Sequence, residues 1–173
     1  MSEKHEIIQI FLDEYPAHLD FLVAEQVCDE PWIQTSPTTG MILYKVRGVD
    51  VALELSLDVR DAVVTAYISL FSEAVKPDVG RVSGGRVVRL LLWDILPVLA
   101  QQIPDLAEDF QQWKATWKQY YNRVYRFLKA LREPEPEVVR DLFRADAQHL
   151  ALIMRRYGSS VIEYGQRYWH LTG

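Results

Sequence analysis

Cysteine is almost absent from this chain: Cys28 is the only one in 173 residues. A single thiol can form no internal disulfide and no Cys-based metal site, and Cys28 reads as a half-buried residue just past a helix. Histidine is scarce too. His5, His18, His149 and His170 show neither H-x3-H nor HExxH spacing, so neither a metal nor any other cofactor is expected. No apolar run approaches the roughly 20 residues of a membrane span. The first residues, MSEKHEIIQ, are acidic where a signal peptide needs a basic region and an apolar core, which predicts a cytoplasmic protein with no membrane partner. There is no G-x-S-x-G element and no assignable Ser/His/Asp set. No repeat, low-complexity tract or linker divides the chain, so residues 1–173 are expected to form a single α+β domain.

What is present is charge, unevenly spread. Residues 1–113 hold 8 Lys/Arg against 18 Asp/Glu, and residues 114–173 hold 11 against 6. Such polarity suits two halves packing with complementary fields, or a charged surface offered to a partner of opposite sign.

The organising stretch is Asp105–Arg132. Leu106, Phe110, Trp113, Trp117, Tyr120, Val124, Phe127 and Leu131 recur in steps of four and three, the seam of an amphipathic helix. At 1.5 Å per residue it would be roughly 40 Å long. Its aromatic seam calls for a broad facing surface.

Before it, Ser2 can cap a helix that carries Ile7, Ile10, Phe11 and Tyr15 on one face and is kinked or restarted at Pro16. Trp32–Thr35 is short and extended, and Met41–Val46 is strand-like. Val51, Leu53, Leu55 and Leu57 alternate with Ala52, Glu54, Ser56 and Asp58 as in a half-buried strand, and Ala62–Phe71 is rich in β-formers. These runs predict an antiparallel meander of three to four strands packed against a helical bundle, with the long helix as the lid over one face. Val87–Leu96 is expected to be a buried helix that Pro97 ends or kinks. Beyond the break at Glu133–Pro136, a helix over Glu137–Tyr157 is expected to stop at Gly158, and Ser159 or Ser160 to cap a last one over Val161–Leu171.

Three local patterns bear on chemistry. Arg144 and His149 lie five apart in a helical stretch, a pattern that resembles the R-x4-H motif of HEPN-type ribonucleases. The resemblance implies phosphate stabilisation by Arg144 and acid/base work by His149. The sequence departs from that family at Ala145, where a polar residue is usual, and in carrying a β-meander. The glycine-rich loop Gly80–Arg86, with Arg81, Arg86 and then Arg89, is a candidate anion site without a Walker lysine. On the outer face of the long helix, Lys114, Lys118, Arg126 and Lys129 sit among Tyr121 and Tyr125, a pairing that could follow a nucleic-acid backbone. Tyr164, Tyr168, Trp169 and His170 are candidates to line a ligand pocket with Trp113 and Trp117.

Together these features favour a non-catalytic interaction protein over an enzyme, in the manner of an immunity protein, antitoxin or secretion chaperone. Its acidic face (Glu3, Glu6, Asp13, Glu14, Asp20, Asp29 and Glu30) would meet a basic protein. The alternative is a metal-independent HEPN-like ribonuclease or RNA-binding protein using Arg144, His149 and the basic C-terminal half. A homodimer paired through the long helix is a third expectation.

Overall fold

The computed structural model describes residues 3–71 and 88–171, the backbone alone at 3–5. Ser2, the loop 76–86 with Arg81 and Arg86, and the side chain of Glu3 lie outside the described residues.

Helix α1 (Glu3–Leu19) contains Pro16 without a break or restart and is followed by the single turn α2 (Phe21–Ala24). Five strands come next: β1 (Trp32–Thr35), β2 (Thr39–Lys45), β3 (Val51–Asp58), β4 (Val63–Leu70) and β5 (Arg89–Leu91). They lie in sequence order and every neighbouring pair is antiparallel. Three helices complete the fold: α3 (Leu92–Ala100), α4 (Pro104–Lys129) and α5 (Pro136–Tyr168). The architecture is α+β, an antiparallel meander packed against helices, as its alternating and seam patterns predict.

Several boundaries differ from those expected. The head of the expected helix over Val87–Leu96 is instead a fifth strand, because Ser69, Ile68 and Tyr67 pair with Arg89–Leu91. Such a short apolar run has no periodicity of its own to separate strand from helix. Pro97 lies inside α3 and does not end it. Nor does Gly158 stop the last helix: α5 continues to Tyr168, with Gly158 buried and a methyl-sized space away from Met154. Tertiary packing there outweighs the intrinsic cost of glycine. Leu131 falls beyond the end of α4 with φ 56° and is 97% exposed, so the seam ends before it.

The covering of the sheet is also redistributed. Helix α5, which packs on α1, α3 and α4, touches β3 and β4, while α4 packs mainly on α5 and α3. The lid is therefore α5 over β3 and β4, joined by α1 over β2 and α3 over β4. At Gly165 α5 comes so close that an added Cβ would stand 2.9 Å from Ile68 and 3.7 Å from Val51. Ile42, Val51, Leu53, Leu55, Leu57 and Ile68 from the sheet join Phe11, Tyr15, Phe143 and Leu150 from the helices in one apolar core. Strand β3 is not half-buried as its alternation suggests, since Ala52 and Glu54 on its second face are closed off as well. The buried Glu54 accepts hydrogen bonds at Oε2 from Ser69 Oγ at 2.5 Å and Arg89 Nε at 2.8 Å, while its Oε1 finds no partner among the described residues.

Candidate functional site

Among the described residues two features stand out: the edge of the sheet at β1, and a cleft where α3, α4 and α5 meet β3 and β4.

Strand β1 is at the end of the sheet, paired with β2 alone among the described residues. The turn after it settles which way its backbone groups point. Ser36 N–H donates to the Thr39 carbonyl at 2.9 Å, and the register then sets Thr35 opposite Gly40. Bonded and non-bonded pairs alternate along an antiparallel ladder, so Gln34 and Trp32 bond to β2, whereas Ile33 and Thr35 turn their N–H and C=O groups outward. All four side chains are exposed, with Trp32 at 43% and Ile33 at 45%.

Acidic groups gather at the start of this strand. Asp20, Asp29 and Glu30 are exposed, and Asp29 is engaged by Arg47 at 3.0 Å. Asp20 and Glu30 both lie near the Tyr44 hydroxyl, which burial, the Cys28 thiol and these two carboxylates push up. The remaining residues of the expected acidic face are elsewhere. Glu6 and Asp13 are exposed on α1. Glu14 is not part of any acidic face: it is 7% exposed and held by Arg140 and Arg144, each at 3.1 Å. Burial raises its carboxyl, but the two guanidinium groups outweigh that and hold it below its ordinary value.

Arg144 is thereby committed to α1. His149, five residues on, is about 140° round the helix and half-buried. Burial lowers its imidazole, and the charge it feels is Asp109 on α4. The two residues therefore face different neighbours, Glu14 of α1 and Asp109 of α4. Arg89, a candidate for anion binding, is in β5, paired with Glu54 and placed over the Tyr67 ring at 5.9 Å. Cys28 is buried, and burial together with Asp29 pushes its thiol to about 11, far from a nucleophile's range.

The cleft is built by the seam of α4 and a residue that sequence reasoning passed over, Trp93 of α3. The Trp93 ring stands edge-on to Phe110, Trp113 and Trp117, with centroids 5.6–5.8 Å apart. Trp117 is stacked on Tyr121 at 4.5 Å. Trp113 is buried, while Trp93 and Trp117 are half-buried and form the rim. The cleft measures about 240 Å³ and is lined also by Leu55, Leu150 and Asp146. Asp146 is 6% exposed and accepts hydrogen bonds from the Trp113 indole N–H at 2.7 Å and from the Tyr15 hydroxyl. Burial pushes its carboxyl up to about 6, against the opposing pull of those two donors. Tyr164 and Tyr168 do not line this cleft: they border a separate groove with Val98, Leu99 and Gln102, and Trp169 is buried.

Asp146 had a visible signal. It falls on the apolar stripe of Val139, Leu142, Phe143 and Leu150, where a carboxylate has no reason to be unless it is used. Among the described residues no group of His, Cys, Asp and Glu could hold a metal, and no helix is long and apolar enough to cross a membrane. Comparison with known protein families, curated proteins and solved structures finds no match to this chain.

Proposed function

We propose that this is a cytoplasmic, non-catalytic interaction protein that receives an extended, basic segment of a partner protein along the outer edge of β1. The observation that carries the reading is the outward aim of the Ile33 and Thr35 backbone beside the exposed Trp32 and Ile33 side chains. An added strand would satisfy those four backbone groups, the mode of β-augmentation. At roughly 1 kcal/mol net per hydrogen bond, four bonds do not cover the several kcal/mol lost on association. The apolar area of Trp32 and Ile33 and the charges of Asp20, Asp29 and Glu30 supply the remainder and select a basic sequence. Pro31 and Pro37 bracket the strand, which limits the added segment to a few residues. An immunity protein, antitoxin or secretion chaperone would work through such a preformed surface.

The experiment is affinity capture from the native host with wild type and with Asp20, Asp29 and Glu30 replaced by Lys. A basic partner held by wild type, released by the variant and weakened by salt supports the reading. Equal capture by both, or association indifferent to salt, overturns it.

A second reading, RNA binding, has one observation in its favour. Arg123, Arg126 and Arg132 surround a groove of about 350 Å³ with Phe127 at the C-terminal end of α4. RNA retained by wild type and lost on replacing Arg126 and Arg132 with Glu would favour it over the β1 reading.

A further inference from the structure

The cleft between α3, α4 and α5 combines two features that packing alone does not require in one place. One wall is aromatic, with the rings of Trp93 and Trp113 and of Trp93 and Trp117 set near right angles, and residues 63–66 of β4 form the wall on the sheet side. Asp146 is among the cleft's lining residues, and the two hydrogen-bond donors of its carboxylate, Tyr15 and Trp113, are both neutral. Among the described residues no Lys, Arg or His is ion-paired with Asp146. The arginines closest in sequence turn away: Arg140 and Arg144 to Glu14, Arg155 to Glu25 and Arg156 to Asp109. A carboxylate in apolar surroundings with no counter-ion is a costly arrangement, and a ligand that brings the missing positive charge removes that cost.

From this juxtaposition we propose that the cleft is a binding site for a small organic cation, an amine on a single-ring or short alkyl body, with the ammonium on Asp146 and the body against the tryptophan faces. Indole faces attract cations as well as apolar groups, so both ends of such a ligand are matched. A neutral aromatic molecule would fill the same space and leave Asp146 uncompensated, which sets the expected selectivity. The size follows from the volume: about 240 Å³ corresponds to about eight waters at roughly 30 Å³ each, enough for one ring and a short arm. This site is separate from the β1 edge, and neither proposal depends on the other.

The test uses the full chain with phenethylamine and its neutral counterpart 2-phenylethanol, read by titration calorimetry and by tryptophan fluorescence. Wild type should bind the amine about tenfold or more tighter than the alcohol. Asp146→Asn should erase the difference between the two, and Trp117→Leu, at the half-buried rim, should weaken the amine while leaving the chain folded. Equal affinity for both compounds in wild type, or saturable binding of neither, overturns the proposal, as does a preference for the amine that survives in Asp146→Asn. Should Asp146→Asn fail to fold, the wild-type comparison and Trp117→Leu decide.

Discussion

Trp113 of α4 donates its indole N–H to Asp146 of α5 at 2.7 Å, and Tyr15 of α1 donates its hydroxyl to the other carboxylate oxygen. One carboxyl group therefore ties three helices together in a place that water barely reaches. The arrangement has a sign in pH. Burial raises the Asp146 carboxyl from its ordinary 3.8 to about 6, so between those values the folded chain holds a proton that the unfolded chain has released. Its contribution is fully present below the ordinary value and is lost as pH rises through about 6. The full swing is at most about 3 kcal/mol, at 1.36 kcal/mol per unit. Asp146→Asn removes the titration. Subtracting the variant's urea unfolding free energy from that of wild type should leave a difference that falls between pH 4 and pH 7. A difference flat across that window would mean the proton plays no part.

Glu14 should behave in the opposite sense. Arg144 and Arg140 hold its carboxyl below its ordinary value, despite burial that would raise it. Stability from this group is present above the ordinary glutamate value and is lost as pH falls through the lowered one. Glu14→Gln should cost about 1 kcal/mol near neutrality, because Arg140 and Arg144 are partly exposed and screened, and close to nothing once wild-type Glu14 is protonated. Thermal unfolding of both proteins at neutral and strongly acidic pH checks this.

How far these pairings were legible from residues alone differs case by case. Strand β3 announces itself by its period of two, β4 by its β-forming residues, and α4 by its seam. Which helix lies nearest the sheet is harder, because α4 and α5 are both amphipathic. The difference is that α5 buries residues on several faces, from Val139 to Gly165, as a helix surrounded by neighbours must. Glu14 read as one of seven surface acids, since nothing local tells that Arg140 and Arg144, over a hundred residues later, converge on it. The outward turn of Ile33 and Thr35 depends on the register of a hairpin, which composition does not encode.

The tryptophans of the seam are not equivalent. Full burial of Trp117 would make Trp117→Ala cost roughly 3–5 kcal/mol, but the ring is half-buried. Losing its stacking on Tyr121 and its edge contact with Trp93 should cost about 1–2 kcal/mol. Trp113→Ala should reach the larger figure, since that ring is buried and supports Asp146. Trp113→Phe isolates the hydrogen bond, at about 1–3 kcal/mol for the donor lost. Urea midpoints should fall furthest for Trp113→Ala, with Trp113→Phe and Trp117→Ala milder.

Gly165 offers a test of the close approach of α5 to the sheet. On an exposed helix, Gly→Ala would stabilise by up to about 1 kcal/mol. Here the added methyl would meet Ile68 Cγ2 at 2.9 Å, a branch of a buried side chain with little room to retreat. Gly165→Ala should therefore destabilise by about 1–3 kcal/mol, as overpacked sites do. A raised melting temperature would show that α5 can lift from β4 without penalty.

The edge of β1 can be probed one backbone group at a time with proline, which removes an N–H. Ile33 aims its N–H outward and Gln34 aims its own at β2. Proline is tolerated in strands only where the missing donor faces away from the ladder. Ile33→Pro should therefore change the unfolding midpoint little and weaken capture of the strand partner at least as much as loss of one hydrogen bond and one apolar side chain, about tenfold or more. Gln34→Pro should do the reverse at the level of the fold, breaking a β1–β2 bond and costing about 1–3 kcal/mol. Pairing the two separates edge recognition from a general loss of structure. If Ile33→Pro captures the partner as wild type does, the partner docks on some other surface of the molecule.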